Sequence, residues 1–284
     1  MRFLLLMFFL YSSLFSIDFG FLSDINKPYI VILKDCKNNE FIINIDDYNL
    51  KNKPLSHGSL VKIFTIIAKF KNRSVDVTER HRCKGFNADD YSVCWLKDGH
   101  GELSLIPAFA LSCNSYFYYF SKDVDFNLFL DVLSEWGLYK GFENKGRTIL
   151  NREEQIAAMI GKNNFIKIKP IDFFNAIESL IFKTKYLPDD LYKLLISGMN
   201  MVYINGTVSE IRRKLDLSSD VNIICKTGTG QYEKDGKPDL RRVNGFFVGC
   251  LNNRFLCYVM VEDVRSIFAA EIGLKIFKSI LSDY

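Results

Sequence analysis

Three short segments of this sequence carry side chains that become chemically useful only when brought together. Ser59 and Lys62 stand at i and i+3 in Ser59-Leu60-Val61-Lys62. On a helix that spacing puts the hydroxyl and the amine on one face, a turn apart. A serine hydroxyl is a poor nucleophile until a base takes its proton, and a lysine can be that base when burial or cationic neighbours lower its pKa. At a helix start, backbone N–H donors also point to where an attacked carbonyl oxygen would gather charge. Ser112-Cys113-Asn114 adds a second hydroxyl, able to relay a proton between the lysine and a leaving group, and a carboxamide able to hold a peptide carbonyl. Lys226-Thr227-Gly228-Thr229 follows the apolar run Val221 to Cys225. On a strand, Lys226 and Gly228 face one way while Cys225 and Thr227 face the other. A glycine there lets another backbone come close, so the edge can take an extended peptide as an added strand. The Thr229 N–H could then complete an oxyanion site with that of Ser59. Taken singly, each segment also has an ordinary structural reading: a capping serine with a solvated lysine, a polar helix start, a strand end with a turn. Taken together and in this order, they carry more weight than any one of them alone.

The elements that must position these groups follow from apolar periodicity. Tyr29 to Leu33 and Phe41 to Ile45 read as two short strands joined by the turn-like Lys37 to Glu40. From Ser59 to Phe70 the pattern turns helical, with Leu60, Ile63, Phe64, Ile67 and Ala68 at i, i+3, i+4 spacing. Further helices are expected within Glu102 to Phe120 and over Phe126 to Trp136, Ile156 to Met159, Ile171 to Phe182 and Leu191 to Val202, with Pro170 as a first-turn residue. Strands return at Val221 to Cys225, Val243 to Leu251 and Phe255 to Val261, the last two joined by an Asn252-Asn253 turn suited to positive φ. Ala269 to Leu281 reads as a closing amphipathic helix. The fold class expected is α+β: an antiparallel sheet built from both ends of the chain, flanked by helices, with an inserted all-helical subdomain at roughly 66–205.

Composition narrows the function classes. The 284 residues carry a net charge of only +4 with no block of like charge, so a nucleic-acid footprint is not expected. Arg2 precedes an apolar run from Phe3 to Tyr11, with the small Ser16 beyond it, so residues 1–17 read as a signal peptide or N-terminal membrane anchor and the rest as exported. Seven cysteines cannot all pair internally. Cys83 and Cys94 flank a polar loop containing Asn87, Asp89 and Asp90 that a disulfide could close in an exported compartment, whereas Cys113, Cys225, Cys250 and Cys257 sit in apolar segments and read as buried thiols. Cys83 and Cys94 with His81 and His100 fit no standard zinc spacing, so no metal and no cofactor is expected.

The order S-x-x-K, S-x-N, K-T-G, spaced 53 and then 114 residues apart, resembles the motif set of serine β-lactamases and penicillin-binding proteins. The surrounding text is similar to the transpeptidase domain of the high-molecular-weight penicillin-binding proteins: Cys94-Trp95, Gly99-His100-Gly101, Ile168-Lys169-Pro170-Ile171, Gly198-Met199-Asn200, Asn205-Gly206-Thr207 and Gly245-Phe246-Phe247-Val248-Gly249. The resemblance implies a penicillin-binding transpeptidase domain over 25–284, acting on D-alanyl-D-alanine stem peptides of peptidoglycan. It implies Ser59 as nucleophile, Lys62 as its base, Ser112 as proton relay and Asn114 as a substrate-orienting amide. Lys226 would be an electrostatic partner, with Thr227, Gly228 and Thr229 binding substrate, and His57 and His100 would be structural. Implied partners are stem peptides, β-lactam antibiotics, the membrane and other cell-wall synthesis proteins. The implied location is the periplasm or the outer face of the cytoplasmic membrane. With few residues before the first strand, a bare catalytic domain without pedestal or glycosyltransferase domain is expected. DD-carboxypeptidase and β-lactamase remain alternatives, the latter needing a deacylating glutamate among Glu143, Glu153 and Glu154; a penicillin sensor or scaffold is a further one.

Overall fold

The strands are apolar almost without interruption because the sheet they form is covered on both faces. The computed structural model describes residues 17–46, 48–72, 75–87, 93–139, 150–234 and 237–283; the apolar leader, Asp89, Asp90 and Glu143 lie outside them. In chain order the elements are β1 (Tyr29–Asp35), β2 (Glu40–Ile45), α1 (Lys62–Asn72), β3 (His81–Cys83), β4 (Gly101–Leu103), α2 (Leu105–Ala110), α3 (Asn114–Phe120) and α4 (Phe126–Glu135). They continue with α5 (Arg152–Met159), α6 (Pro170–Ile181), α7 (Asp189–Asn205), α8 (Ser209–Lys214), β5 (Ile223–Lys234), β6 (Lys237–Leu251), β7 (Phe255–Val261) and α9 (Ser266–Ser282). The main sheet is antiparallel with strand order β2-β1-β7-β6-β5, and β3 and β4 make a separate small hairpin. The α+β architecture is therefore as the sequence predicts.

Period-two alternation divides the sheet between two cores. Ile30 and Ile32 of β1, Phe246 and Val248 of β6, and Tyr258 and Met260 of β7 face the helical block built from α1 to α7. Val31 and Leu33, Phe247, and Cys257 and Val259 face the opposite side, where α9 lies with Ile272, Ile276 and Phe277 turned inward. Burying both faces contributes on the order of 25 cal/mol per Å² of apolar area removed from water. β1 and β7 pair in register from Tyr29 opposite Val261 to Asp35 opposite Phe255, so the first and last strands of the fold lie side by side at its centre.

Local chemistry sets the helix ends. Pro170 occupies the first turn of α6, Asp125 accepts from the Asn127 and Leu128 N–H groups at the start of α4, and Asn151 and Glu154 form a reciprocal capping box on α5. Asn252 and Asn253 turn the β6–β7 connection at φ of 53° and 50°. The structure departs from the expected pattern at three places. Residues Gly58–Val61 form a 3-10 turn and the α-helix begins only at Lys62; β5 runs on through Lys234 rather than ending at Cys225; and α8 and the β3–β4 hairpin were not expected.

At one end of the β1–β7 ladder, Arg254 donates from Nε and Nη2 to the two carboxylate oxygens of Asp35, at 3.1 and 2.7 Å. That bond, before all other causes, holds the Asp35 carboxyl below its ordinary value of 3.8. A depressed acid stabilises the fold above its unfolded-state pKa and loses that contribution as pH falls. Arg254→Ala is expected to lower stability by about 1–3 kcal/mol at neutral pH. In urea unfolding, its difference from the wild type should shrink as pH is taken below about 4, where Asp35 protonates in the unfolded chain.

Candidate active site

The segment carrying Ser59 is clamped by backbone contacts that only glycine permits. Gly58 sits at φ 55°, and a Cβ there would lie 2.1 Å from the Thr229 carbonyl oxygen. A Cβ on Gly230 would lie 1.8 Å from the Ser56 carbonyl oxygen, and one on Gly228 2.2 Å from that of His57. Residues 56–59 thus lie flush against β5, and Ser59 stands beside the Lys226-Thr227-Gly228-Thr229 segment. The 3-10 turn sharpens the Ser-Lys relationship, because at three residues per turn the side chains of i and i+3 eclipse. His57, fully buried, anchors the turn from below. Its ring stacks between Phe173 and Phe246 at 4.8 and 4.7 Å. Its Nδ1 lies 3.0 Å from the Leu55 carbonyl, which can only accept, so Nε2 is the acceptor for the Tyr258 hydroxyl at 2.9 Å. Burial brings its pKa down to about 4, keeping the ring neutral. Both ring nitrogens of His57 are thus engaged inside the core.

Lys62 is completely buried and donates to three oxygens: Ser59 Oγ at 2.9 Å, the Ser112 carbonyl at 3.1 Å and Asn114 Oδ1 at 2.7 Å. None of these is a charge, and the face of Phe117 lies 5.3 Å from the Nζ. Burial without a carboxylate brings its pKa down to about 8, from an ordinary 10.5. Lys226 is also fully buried. It donates to Ser112 Oγ at 2.9 Å and to the Thr227 carbonyl at 3.2 Å, with the Phe109 ring 5.3 Å away. Burial first, and the positive charge of Lys62 second, push its pKa well down. The Ser112 hydroxyl is therefore bonded to Lys226, while Lys62 touches only its carbonyl.

Ser112 reaches this position from a left-handed backbone, φ 53°, at the break between α2 and α3. Asn114 opens α3, and since its Oδ1 is occupied by Lys62, its N–H₂ group is what remains to offer a ligand. Thr207, one turn past α7, joins its hydroxyl to that of Thr227 at 2.8 Å. Ser59, Ser112, Asn114, Thr227, Gly228 and Thr229 all line one open cleft of about 590 Å³, with the two lysines buried behind Ser59 and Ser112. The eight residues singled out in the sequence meet at this place. Sequence reasoning did not select Thr207, nor the cleft walls formed by Phe86, Trp95 and Ile267, because an exposed aromatic in a loop carries no periodic signal. Of the candidate glutamates, Glu153 accepts from the Tyr118 hydroxyl and Glu154 caps α5; neither lines the cleft.

Comparisons with known proteins give the family and the fold. The family model described as penicillin binding protein transpeptidase domain matches residues 34–282. Among solved structures, Pseudomonas aeruginosa PBP2, crystallised in complex with WCK 5153, superimposes with a TM-score of 0.71 at 16% identity, covering 90% of this chain and 73% of that one. Helicobacter pylori PBP2 gives 0.70 at 16% identity, and here the chain spans only 60% of the neighbour's length. The apo transpeptidase domain of Burkholderia pseudomallei penicillin-binding protein 3 gives 0.67 at 15%, covering 90% of this chain and 86% of the other. No curated protein sequence matches the chain. At such low identity the neighbours show the fold, while the family match runs over most of the sequence: the chain belongs to the penicillin-binding protein transpeptidase domain family.

Proposed function

We propose that this domain is a serine DD-transpeptidase that forms an ester between Ser59 and a D-alanyl-D-alanine stem peptide, or a β-lactam in its place. The observation that carries the reading is the 2.9 Å bond between Ser59 Oγ and a buried Lys62 whose pKa is brought down to about 8. With that value, roughly a tenth of Lys62 is neutral at pH 7 and able to take the Ser59 proton as Oγ attacks the carbonyl between the two D-alanines. The oxygen that gathers charge would be met by the backbone N–H groups of Ser59 and Thr229; losing one such donor typically costs about 10²–10³ in rate. Collapse of the tetrahedral adduct breaks the peptide bond. The leaving amine takes a proton from Ser112, which Lys226 is placed to replace. An amine on a neighbouring stem peptide then attacks the ester, forming the cross-link and releasing Ser59. An opened β-lactam ring stays attached, so the ester persists.

Substrate would lie along β5, an outer strand of the sheet, with Thr227, Gly228 and Thr229 against its backbone and the Asn114 N–H₂ on a peptide carbonyl. The neighbours extend the reading to partners. Helicobacter pylori PBP2 has been solved in complex with MreC, and another neighbour belongs to a peptidoglycan synthase complex coordinating polymerization and crosslinking. We infer comparable cell-wall partners here, and a cleft facing the compartment that holds peptidoglycan, which is what the apolar leader of residues 1–17 would provide.

A fluorescent penicillin should label the wild type with one adduct per chain and fail to label Ser59→Ala; absence of labelling in the wild type overturns the reading. D-alanine release accompanied by a cross-linked dimer is expected from stem peptides. Release without dimer makes the protein a carboxypeptidase, and fast nitrocefin turnover makes it a β-lactamase. Because Lys62 must be neutral to act as base, the acylation rate should climb with pH through about 8 and level off above it; a stopped-flow profile that is flat between about pH 7 and 9 excludes Lys62 from that role. Ser112→Ala, which removes the hydroxyl that Lys226 holds, should slow acylation by about 10² or more while leaving the thermal midpoint nearly unchanged.

A further inference from the structure

Behind the Ser112-Cys113-Asn114 turn, three thiols and an imidazole converge from parts of the chain that the sequence kept apart. Cys83 ends β3, Cys94 lies in the connecting loop, His100 immediately precedes β4, and Cys113 caps α3. Their four ligand atoms all lie within 4.8 Å of one another. His100 Nδ1 is 3.6 Å from Cys83 Sγ and 3.6 Å from Cys94 Sγ, and Cys94 Sγ is 3.9 Å from Cys113 Sγ. A tetrahedral zinc ion, bonded at about 2.3 Å to sulfur and about 2.0–2.1 Å to nitrogen, holds its sulfurs about 3.8 Å apart and a sulfur and nitrogen about 3.6 Å apart. The observed separations are those of the edges of such a tetrahedron. All of these cysteines are free thiols, so in place of the disulfide weighed for Cys83 and Cys94 the two sulfurs share an approach to His100.

The surroundings suit a closed structural site. All three cysteines are buried. A Cβ on Gly99 would lie 2.2 Å from the Cys83 carbonyl oxygen, so the loop folds back on the hairpin with backbone against backbone and holds His100 over the thiols. The Tyr116 N–H donates to Cys113 Sγ at 3.4 Å, as suits a sulfur carrying negative charge. Trp95 packs against the His100 ring at 5.1 Å and donates to the Leu111 carbonyl at 3.3 Å.

We propose that Cys83, Cys94, His100 and Cys113 bind one zinc ion, and that this ion holds the Ser112–Asn114 turn and the Trp95 wall of the cleft in their working positions. Cys113 lies between Ser112, whose hydroxyl Lys226 holds, and Asn114, whose amide oxygen Lys62 holds. Fixing its sulfur fixes both neighbours. Three thiolates and one imidazole select a tetrahedral, thiophilic ion, and with all four positions taken by protein the metal has no place for substrate. These residues therefore position the acylation centre and take no part in the chemistry.

The metal-binding half stands whatever the reaction is; the positioning half rests on the acyl-transfer reading above. The test uses the full chain, purified without a chelating tag from zinc-supplemented medium. Elemental mass spectrometry should give one zinc per chain, and exchange with cobalt(II) should give the visible bands of tetrahedral thiolate coordination. Cys83→Ser and His100→Ala should lose the metal, and Cys36→Ser should keep it. A metal-free chain, an iron-loaded one, or a Cys83–Cys94 disulfide found in the peptide map overturns the assignment. Stripping zinc with a chelator should slow penicillin acylation by about tenfold or more with the far-ultraviolet spectrum retained, and added zinc should restore it. An acylation rate that is the same with and without zinc overturns the positioning role. Absence of acylation in the zinc-loaded wild type would fall on the enzyme reading alone, since the metal content and the cobalt spectrum are read independently of it.

Discussion

Two ammonium groups buried side by side beneath Ser59 and Ser112, with only neutral oxygens and aromatic faces around them, are what the rest of the architecture must sustain. Taking an ammonium out of water without a carboxylate is expensive, and the group answers by giving up its proton more readily. Lys62 comes from the helical block and Lys226 from the sheet. Each therefore needs the other half of the molecule to exclude water from it. Ser112 sits between them, offering its carbonyl to one and its hydroxyl to the other, and this makes the α2–α3 break the joint on which both halves close. The apolar core on the helical side of the sheet, with Phe109, Phe117 and Phe246 at full burial, is what keeps that joint dry.

The glycines solve the complementary problem of precision. Burial alone would leave the nucleophile free to shift by an ångström or more. The backbone of residues 56–59 is instead pressed against β5 at Gly228 and Gly230, and against the Gly58 carbonyl on the far side through Gly161. Hydrophobic packing is tolerant of small displacements, whereas carbonyl oxygens in van der Waals contact with Cα atoms are not. The result is a soft core beneath a stiff surface, and the chemistry is placed on the stiff part.

Much of this was legible in the residues. Unbroken apolar runs at Tyr29 to Leu33 and Phe255 to Val261, together with a helical middle, are enough to give the α+β class, because strands buried on both faces must be apolar throughout. The three motifs announce themselves by residue type and order. What escaped did so for physical reasons. The length of β5 is hidden in the sequence because Gly228 and Gly230 carry no side chain and Gln231 to Lys234 are polar, so there is no alternation to read although the ladder to β6 runs through Lys234. The start of α1 was placed three residues early because a 3-10 turn and an α-helix share the i, i+3 pattern. The sequence suggests Cys83, Cys94 and His100 as a group but gives no reason to add Cys113, because strands of three residues, β3 and β4, create the contact, and no linear spacing encodes a hairpin folding onto a helix cap.

The side-by-side pairing of β1 with β7 has a consequence for how the protein comes into being. Ile30 faces Met260 across that ladder, so the centre of the sheet stays incomplete until β7 has been made. Lys226, the strand that bears it and the strand that supports it all lie in the last quarter of the sequence. A growing or truncated chain holds Ser59 and Lys62 with no second wall to dehydrate the amine, and the serine stays an ordinary alcohol. On the acyl-transfer reading, Ser59 would gain its reactivity only once β5 to β7 are in place, and a chain lacking them would be spared from acylating itself on whatever it meets.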